Sequence, residues 1–246
     1  MLSLKDKVIV ITGASSGIGH AAALKFAEKG ASLVLAARRA EKLQQLQNQI
    51  VEFNPNCIYV PTDLTKPEQV QNLFKKVIER FGKIDILINN AGRGLKSELV
   101  NITLEDFNSV IDTNLTSVFL CTQQAVRIMT EKNVKGHIIT VCSIAGLFGA
   151  PTYSAYCASK HAVNGFVKSL KWELRKHHIK ISAIYPARVD TEFFNSYRKR
   201  PSKRQLLSPN DIAELLLAVA QRAPLKVAAV RARNFAKRIR NLIIPG

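Results

Sequence analysis

Two side chains that could transfer a proton stand one helical turn apart. Tyr156 and Lys160 are separated by four residues within a helical pattern, so both lie on one face of that helix. A phenol has an ordinary pKa of about 10 and is a poor acid–base catalyst near neutral pH. A nearby ammonium favours the phenolate and lowers that pKa. Ser143 ends a preceding strand pattern, and its hydroxyl could bind a substrate oxygen while Tyr156 transfers the proton.

A glycine pattern near the start of the chain predicts a binding site for a dinucleotide. Gly13, Gly17 and Gly19 lie between a β-branched run and a helical stretch. In that context the first glycine permits a tight turn, the second lets the backbone approach a pyrophosphate, and the third allows close helix–strand packing. The free N–H groups of the helix N-terminus attract the phosphates. A glycine-rich turn that serves only backbone geometry is the alternative.

The end of the second predicted strand indicates which dinucleotide is preferred. NAD-binding folds usually place a carboxylate there to hold the ribose 2′-hydroxyl. Here the sequence is Ala36-Ala37-Arg38-Arg39, and a guanidinium suits a 2′-phosphate through charge-assisted hydrogen bonds. We therefore expect NADP(H) to be preferred over NAD(H), with Arg38 as the main contact and Arg39 as a secondary one. A solvated arginine pair at the start of a helix is the alternative.

The elements that position these residues alternate regularly between strand and helix. This alternation predicts right-handed βαβ units and an α/β fold, namely a Rossmann-type doubly wound parallel sheet in a three-layer α/β/α single domain. Strands are predicted over 8–11, 32–37, 58–60, 84–88, 137–141 and 179–184, and helices from the glycine motif to about 29 and over 39–52, 67–81, 105–131, 155–177 and 211–222. Residues 1–222 are expected to form this domain, including a substrate loop at 187–208. Residues 223–246 are expected to be a basic C-terminal extension, within the same domain or as a peripheral helix.

Taken together, these residues resemble the short-chain dehydrogenase/reductase family over residues 5–222. The motifs that carry the resemblance, in order and spacing, are Thr12-Gly13-Ala14-Ser15-Ser16-Gly17-Ile18-Gly19, Asp63-Leu64, Asn89-Asn90-Ala91-Gly92, Asn114, Ser143 and Tyr156-x-x-x-Lys160. The resemblance implies an NAD(P)-dependent oxidoreductase with a catalytic tetrad of Asn114, Ser143, Tyr156 and Lys160. Tyr156 would be the acid–base group, Lys160 would hold the nicotinamide ribose, and Asn114 would keep a helix kink and a water for proton relay.

The resemblance also assigns the residues around the cofactor. Asp63 would meet the adenine amino group, while Val189 and Thr191 would contact the nicotinamide carboxamide. One departure affects the last two residues: the family's usual Pro-Gly reads Pro186-Ala187 here. The expected cofactor-binding residues are Gly13, Ser15, Ser16, Gly17, Ile18, Gly19, Arg38, Arg39, Asp63, Leu64, Asn90, Ala91, Gly92, Tyr156, Lys160, Val189 and Thr191.

These observations predict an oxidoreductase that transfers a hydride between NADP(H) and a carbonyl or secondary alcohol. The substrate is expected to be a small molecule, lipophilic or anionic, and the family resemblance implies a homodimer or homotetramer. The alternative is a regulatory or membrane-peripheral protein that binds the cofactor with little turnover. A nucleic-acid binder is disfavoured, because no recognition motif is present and no aromatic residues interleave the basic segments.

Composition adds a charge asymmetry that the catalytic residues do not explain. The chain has 246 residues and a formal net charge of +18. Residues 197–246 hold 12 Lys and Arg against only Asp211 and Glu214. Within this segment, Phe235–Ile244 has the pattern of a short basic amphipathic helix, which could dock on its own dimer or lie on an anionic membrane.

The cysteines and the N-terminal residues indicate the compartment. The four cysteines form no C-x-x-C pair and no spacing typical of a zinc or disulfide framework, so we expect free thiols and no metal site. Lys5, Asp6 and Lys7 precede only a short apolar run, unlike a secretory signal. The expected location is the cytoplasm, with peripheral membrane contact through 231–246 as an open alternative.

Overall fold

Short β-branched runs become the strands of a parallel sheet in the computed structural model, which describes residues 2–194, 202 and 206–222. The strands are β1 (Val8–Thr12), β2 (Ser32–Ala37), β3 (Cys57–Pro61), β4 (Ile86–Asn89), β5 (His137–Val141) and β6 (Lys180–Ile184). Their order is β3-β2-β1-β4-β5-β6, and every pairing is parallel. This single α/β Rossmann-type domain is the architecture that the alternating pattern predicted.

Helices cover both faces of the sheet. They are α1 (Gly17–Ala27), α2 (Ala40–Val51), α3 (Pro67–Phe81), α4 (Leu104–Ile111), α5 (Ser117–Glu131), α6 (Ser154–Glu173) and α7 (Pro209–Ala220). Alternate residues of β1 enter opposite cores: Ile9 and Ile11 pack with α1, α2 and α7, whereas Val8 and Val10 pack with α3, α5 and α6. Burial on both faces explains why this strand is apolar throughout.

The order of the strands fixes where a ligand can bind. The chain runs outward from β1 to β3 on one side and from β4 to β6 on the other, so the direction of winding reverses between β1 and β4. The connections that follow these two strands diverge and leave a crevice at their carboxyl ends. The glycine turn follows β1 at this point, and Asn89-Asn90-Ala91-Gly92 spans the end of β4.

The predicted long helix over 105–131 is interrupted. Helix α4 ends at Ile111, residues Asp112–Thr116 form a π-helical turn, and α5 begins at Ser117. A π turn inserts one extra residue into the helical ladder and is frequent at functional sites. Asn114 lies within this turn and is fully buried.

Several other boundaries also differ from the sequence prediction. β4 begins at Ile86 instead of Ile84, and α6 gives way to a 3₁₀ helix over Leu174–His177 that ends in the left-handed conformation of His178. α7 covers Pro209–Ala220 instead of 211–222. Its N-cap is Ser208, and the Ser208 and Asp211 side chains each accept from the other's backbone N–H.

Among the helices of the described residues, none has the length and apolar character needed to cross a membrane. The basic segments 198–200, 203–204 and 223–246, including the predicted amphipathic helix Phe235–Ile244, lie outside the described residues.

Candidate active site

A cleft with a volume of about 1830 Å³ opens at the carboxyl ends of the strands. Almost every residue predicted to bind the cofactor or to act in catalysis lines it. These are Gly13, Ser15, Ser16, Gly17, Ile18, Arg38, Arg39, Asp63, Leu64, Asn90, Ala91, Gly92, Ser143, Tyr156, Lys160, Val189 and Thr191. The two remaining predicted residues, Gly19 and Asn114, lie behind the cleft wall and support it.

Thr12 joins the glycine turn to the loop after β4. Its hydroxyl accepts hydrogen bonds from the backbone N–H groups of Asn90 (2.9 Å) and Ala91 (3.1 Å) and donates to the Ile88 carbonyl. The Asn90 side chain donates in return to the Thr12 carbonyl at 2.9 Å. Two loops that are distant in sequence therefore form one rigid floor.

Glycine is required on this floor at two positions. Gly13 has a φ of +66°, in the left-handed region that side chains disfavour. A Cβ on Gly19 would collide with the Gly13 carbonyl oxygen and lie 2.6 Å from Nδ2 of Asn90. Gly19 thus permits the close packing of α1 beneath the turn, the role that the sequence assigned to it.

The arginine pair after β2 lies at the edge of the cleft. Arg39 extends over the glycine loop, where Nη2 donates to Ser15 Oγ at 2.9 Å and to Ser16 Oγ at 2.8 Å. Arg38 is exposed and contributes to the electrostatic environment of Asp63. Of the two arginines, Arg39 is the one that contacts the glycine loop.

Asp63 is held as an ionised acceptor. Burial acts to raise its pKa, but hydrogen bonds from the backbone N–H (3.0 Å) and hydroxyl (2.8 Å) of Thr65 lower it. The charges of Arg38 and Lys66 lower the pKa further, and the net pKa is below the ordinary value. A fixed carboxylate at this position can accept a hydrogen bond from an amino group.

Asn114 connects three parts of the site from behind. Its Oδ1 accepts from the Arg93 backbone N–H at 2.8 Å, and its Nδ2 donates to the Arg93 carbonyl and to Ser159 Oγ, both at 2.9 Å. The Ser159 hydroxyl donates to the Tyr156 carbonyl at 2.7 Å. The π turn carries Asn114, so the distorted helix is linked directly to the helix that bears Tyr156.

Tyr156 lines the cleft, and the Ser143 hydroxyl influences the pKa of its phenol. Desolvation raises the pKa of Tyr156 to about 12, against the lowering effect of a hydrogen bond with Ser143. Without the cofactor, the phenol is therefore fully protonated near neutral pH. In that state it can donate a proton to a substrate oxygen.

Lys160 lies close to this phenol and is almost fully buried. Its Nζ is 5.9 Å from the centroid of the Tyr156 ring and donates to the Val141 carbonyl at 3.3 Å. Burial lowers the pKa of Lys160. A Cβ on Gly92 would lie 3.6 Å from this Nζ and 3.1 Å from Asn114 Oδ1, so Gly92 keeps the backbone close to both side chains.

Ala187 fits the backbone where the family carries glycine. It is absent from the residues of positive φ, so its Cβ causes no left-handed strain. The loop that follows is anchored to the chain before α7. Val189 pairs with Leu207 in an isolated parallel bridge, and the Asp190 N–H donates to the Leu207 carbonyl at 2.8 Å.

Several residues of the site escaped the sequence analysis. Arg93 and Ser159 bind Asn114, and Arg93 also donates to the Ser109 hydroxyl. Glu192 binds Arg39, and the Phe193 ring lies 5.4 Å from the Tyr156 ring, centroid to centroid. Glu192 and Phe193 had no local signal, because their partners lie far away in the sequence.

The residues present fit a dinucleotide cofactor. The glycine loop offers a helix N-terminus without an acidic residue in its first turn, and no bulky side chain projects from Gly13 or Gly17. Two arginines stand at one end of the cleft, and a buried lysine, a tyrosine and a serine stand at the other. The described residues contain no cluster of His, Cys, Asp and Glu side chains that could hold a metal ion.

Comparison with known proteins agrees with this geometry. The family model described as short chain dehydrogenase matches residues 7–202. An uncharacterized oxidoreductase of Staphylococcus aureus strain MW2 is 38% identical over 234 residues, which cover 95% of this chain and 99% of that protein.

Two solved structures are similar over most of the chain. A short chain dehydrogenase/reductase from Burkholderia phymatum in complex with NAD is 31% identical, with a TM-score of 0.83 and coverage of 98% of this chain and 97% of that chain. An alcohol dehydrogenase from the archaeon Thermococcus sibiricus, complexed with 5-hydroxy-NADP, is 30% identical, with a TM-score of 0.81 and coverage of 87% and 90%. One relative thus binds NAD and the other an NADP derivative.

Proposed function

The chain belongs to the short-chain dehydrogenase family, and from its site we propose an oxidoreductase that transfers a hydride between NADP(H) and a carbonyl or secondary alcohol. The observation that carries the proposal is the convergence of Ser143, Tyr156 and Lys160 on the cleft below the glycine loop. The bound nicotinamide would supply or accept the hydride. The residues of the chain orient the substrate and move the proton.

Tyr156 is the proton donor in the direction of carbonyl reduction. Its pKa of about 12 keeps the phenol protonated at neutral pH. The Ser143 hydroxyl, which also lines the cleft, would bind the same substrate oxygen. Negative charge develops on that oxygen in the transition state, and two hydroxyl donors stabilise it. In alcohol oxidation Tyr156 must lose its proton first, so the positive charge of Lys160 is needed to lower the phenol pKa.

The preference for NADP(H) follows from the charges at the adenosine end. Arg38 and Arg39 both line the cleft, and they occupy the two positions directly after β2, where a carboxylate would hold a ribose 2′-hydroxyl. A 2′-phosphate placed there would receive charge-assisted hydrogen bonds from a guanidinium. The remaining proposed cofactor contacts are those of the glycine loop, Asp63, Leu64, Asn90–Gly92, Val189 and Thr191.

The substrate end of the cleft favours a lipophilic carbonyl compound. Ile144, Phe148 and Phe193 line it beside Tyr156, and Phe148 is 69% exposed although it is a large apolar side chain. Arg188 also lines the cleft, so an anionic group on the substrate is compatible with this end.

A homodimer or homotetramer completes the proposal. Phe119 of α5 and Phe166 of α6 pack edge to face at 6.3 Å, and Phe119 remains 41% exposed. Trp172, further along α6, is 72% exposed. Exposed aromatic side chains of this kind are typical of protein interfaces. Light scattering of the purified protein tests the assembly, and a monomer at micromolar concentration would contradict it.

The function is tested by NADPH consumption over a panel of ketones, aldehydes and secondary alcohols with the matching cofactor. For a substrate that is turned over, Tyr156→Phe is expected to lower kcat by roughly 10²–10⁴-fold, the usual contribution of a general acid. Cofactor affinity, measured by calorimetry, is expected to change little. Tyr59→Phe removes a phenolic hydroxyl outside the cleft and is the matched control.

Two results would contradict the proposal. Wild-type turnover in the Tyr156→Phe variant would remove Tyr156 from the proton path. Tight cofactor binding without turnover of any carbonyl or alcohol would favour the regulatory alternative.

A further inference from the structure

The segment Thr191–Phe193 lies across the cleft and touches both of its ends. Thr191 approaches the glycine loop so closely that a Cβ on Gly17 would lie 2.8 Å from its Cγ2. Phe193 packs on the Tyr156 ring at 5.4 Å between centroids. Between them, Glu192 reaches Arg39 and Lys42. We call this segment the 191–193 strap.

Glu192 makes two short ion pairs with residues that follow β2. Its Oε2 accepts from Arg39 Nη1 and its Oε1 accepts from Lys42 Nζ, both at 2.6 Å. Arg39 keeps its contacts with Ser15 and Ser16 at the same time. The carboxylate therefore lies between two cations at the rim of the glycine loop.

Arg39 is one of the two arginines proposed to bind the cofactor's 2′-phosphate, and Lys42 pairs with the same carboxylate beside it. A carboxylate and a phosphate bind a guanidinium through the same planar fork of N–H donors, and each excludes the other from it. From this geometry we propose that Glu192 is a specificity-determining residue: an anion of the chain itself that competes with the 2′-phosphate for Arg39 and Lys42. The inference rests on the proposed preference for NADP(H).

The charge state of Glu192 supports this role. Hydrogen bonds from Lys42 and then Arg39 lower its pKa to about 2. The carboxylate is ionised at any pH at which such an enzyme works, so the competition does not depend on protonation. Since both ion pairs are largely exposed, each is weak enough for a phosphate to displace.

The competition affects the two cofactors differently. NAD(H) carries a 2′-hydroxyl and leaves the Glu192 ion pairs in place. NADP(H) must displace Glu192, which releases the middle of the 191–193 strap from the adenosine end of the cleft. Thr191 and Phe193 belong to the same strap, so occupation of the phosphate position is coupled to contacts at Gly17 and Tyr156.

The test measures fragment binding and needs no substrate. Adenosine 2′,5′-bisphosphate carries the 2′-phosphate and no nicotinamide, and 5′-ADP lacks the 2′-phosphate. Calorimetry gives Kd for both fragments with the wild type, Glu192→Gln and the control Glu79→Gln. Glu79 forms an exposed ion pair with Lys75 outside the cleft, so its variant makes the same change of net charge.

We expect Glu192→Gln to bind adenosine 2′,5′-bisphosphate roughly three- to tenfold more tightly than the wild type, because exposed ion pairs have modest free energies. Binding of 5′-ADP should be unchanged, and Glu79→Gln should match the wild type with both fragments. Thermal unfolding of each variant verifies that the fold is retained.

An equal gain in affinity for both fragments would overturn the selectivity role and leave Glu192 as a general obstruction. No gain for either fragment would overturn the competition itself.

If the proposed preference for NADP(H) is wrong, the affinities for the two fragments follow a different pattern. If the wild type binds both fragments equally but Glu192→Gln favours adenosine 2′,5′-bisphosphate, Glu192 competes as proposed and the wild-type preference for NADP(H) is wrong. If the wild type favours adenosine 2′,5′-bisphosphate and Glu192→Gln adds nothing, the preference holds and the role of Glu192 is wrong.

Discussion

The Asn114 side chain donates a hydrogen bond to the Ser159 hydroxyl at 2.9 Å, and neither side chain is exposed to solvent. Asn114 lies in the π turn between α4 and α5, whereas Ser159 lies on α6, between Tyr156 and Lys160. Since the Ser159 hydroxyl also donates to the Tyr156 carbonyl, the two helices share one continuous polar connection. The position of Tyr156 therefore depends on Asn114, which lies behind the cleft and does not line it.

This connection predicts the effect of removing the Ser159 hydroxyl. Ser159→Ala leaves one N–H of Asn114 without its partner in a buried environment, which costs about 1–3 kcal/mol in the free energy of unfolding. The loosened helix should also lower kcat by roughly tenfold, because small displacements of a catalytic group reduce rate strongly. Chemical denaturation and steady-state kinetics measure the two effects.

Ser169→Ala makes the same chemical change at an exposed position of α6. It should alter the free energy of unfolding by less than about 0.5 kcal/mol. A Ser159→Ala variant that behaves like this control would contradict the role of the Asn114–Ser159 hydrogen bond.

The π turn also shows where prediction from sequence fails. The apolar period over 105–131 correctly predicts helix, but the extra residue of the π turn depends on partners far away in sequence. Asn114 binds the Arg93 backbone, 21 residues earlier, and Ser159, 45 residues later. The same reasoning applies to Glu192, which meets Arg39 across 153 residues.

The features that could be predicted are those with a local cause. The burial of β1 on both faces requires an unbroken apolar run, and the i, i+4 spacing places Tyr156 and Lys160 on one face of α6. The glycine turn after the first strand marks the end of β1 that borders the crevice between β1 and β4. Local pattern thus predicted the sheet, the glycine turn and the Tyr156–Lys160 pair, and the family resemblance supplied most of the other predicted residues of the cleft. Long-range ion pairs and hydrogen bonds determined the strap and the π turn.

The effect of the Ser143 hydroxyl on the pKa of Tyr156 predicts a change in pH dependence. Because this hydroxyl lowers the pKa of Tyr156, Ser143→Ala should raise that pKa above the wild-type value. Alcohol oxidation requires the phenolate, so the rise of kcat/KM with pH should move to more alkaline pH. Carbonyl reduction requires the phenol and should persist to higher pH than in the wild type. Profiles of kcat/KM in both directions measure the shift.

Ser169→Ala is again a suitable control, because its hydroxyl is removed from the exposed surface of α6. The profile of this variant should coincide with that of the wild type. A Ser143→Ala variant with lower kcat and an unmoved pH profile would mean that Ser143 acts on the substrate alone.

The arginine pair predicts a selective loss of one cofactor. Arg39→Ala and Arg38→Ala should each lower kcat/KM with NADPH by roughly 10–100-fold, the effect of a hydrogen bond to a charged group. Activity with NADH should change little. Arg39→Lys should recover only part of the loss, since a lysine cannot reproduce the fork that contacts Ser15 and Ser16.

Arg80→Ala, an exposed change on α3 outside the cleft, is the control for lost positive charge. An unchanged ratio of kcat/KM for the two cofactors in Arg38→Ala and Arg39→Ala would show that the pair does not read the 2′-phosphate.

The environment of Asp85, at the end of the sheet opposite the cleft, predicts that the fold loses stability in acid. Asp85 is only 8% exposed; its carboxylate accepts from the Val8 N–H at 2.9 Å and pairs with Lys83 at 2.9 Å and Lys7 at 3.0 Å. Burial acts to raise its pKa, but these partners hold it below the ordinary value. The ionised carboxylate therefore stabilises the fold above its ordinary pKa of about 3.9, and this contribution disappears as the pH falls through the lower native pKa.

Asp85→Asn should consequently lower the free energy of unfolding by about 1–3 kcal/mol at neutral pH, the cost of losing hydrogen bonds to a charged group. The difference between this variant and the wild type should shrink on acidification below pH of about 4, because the wild-type carboxylate then becomes protonated as well. Urea denaturation at neutral and acidic pH measures both quantities.

Asp6→Asn is a matched control on an exposed carboxylate, and asparagine tolerates the left-handed φ of 61° at that position. The difference in the free energy of unfolding between Asp85→Asn and the wild type could instead stay constant across this pH range. That result would mean that the packing of the side chain, and not its charge, stabilises this end of the sheet.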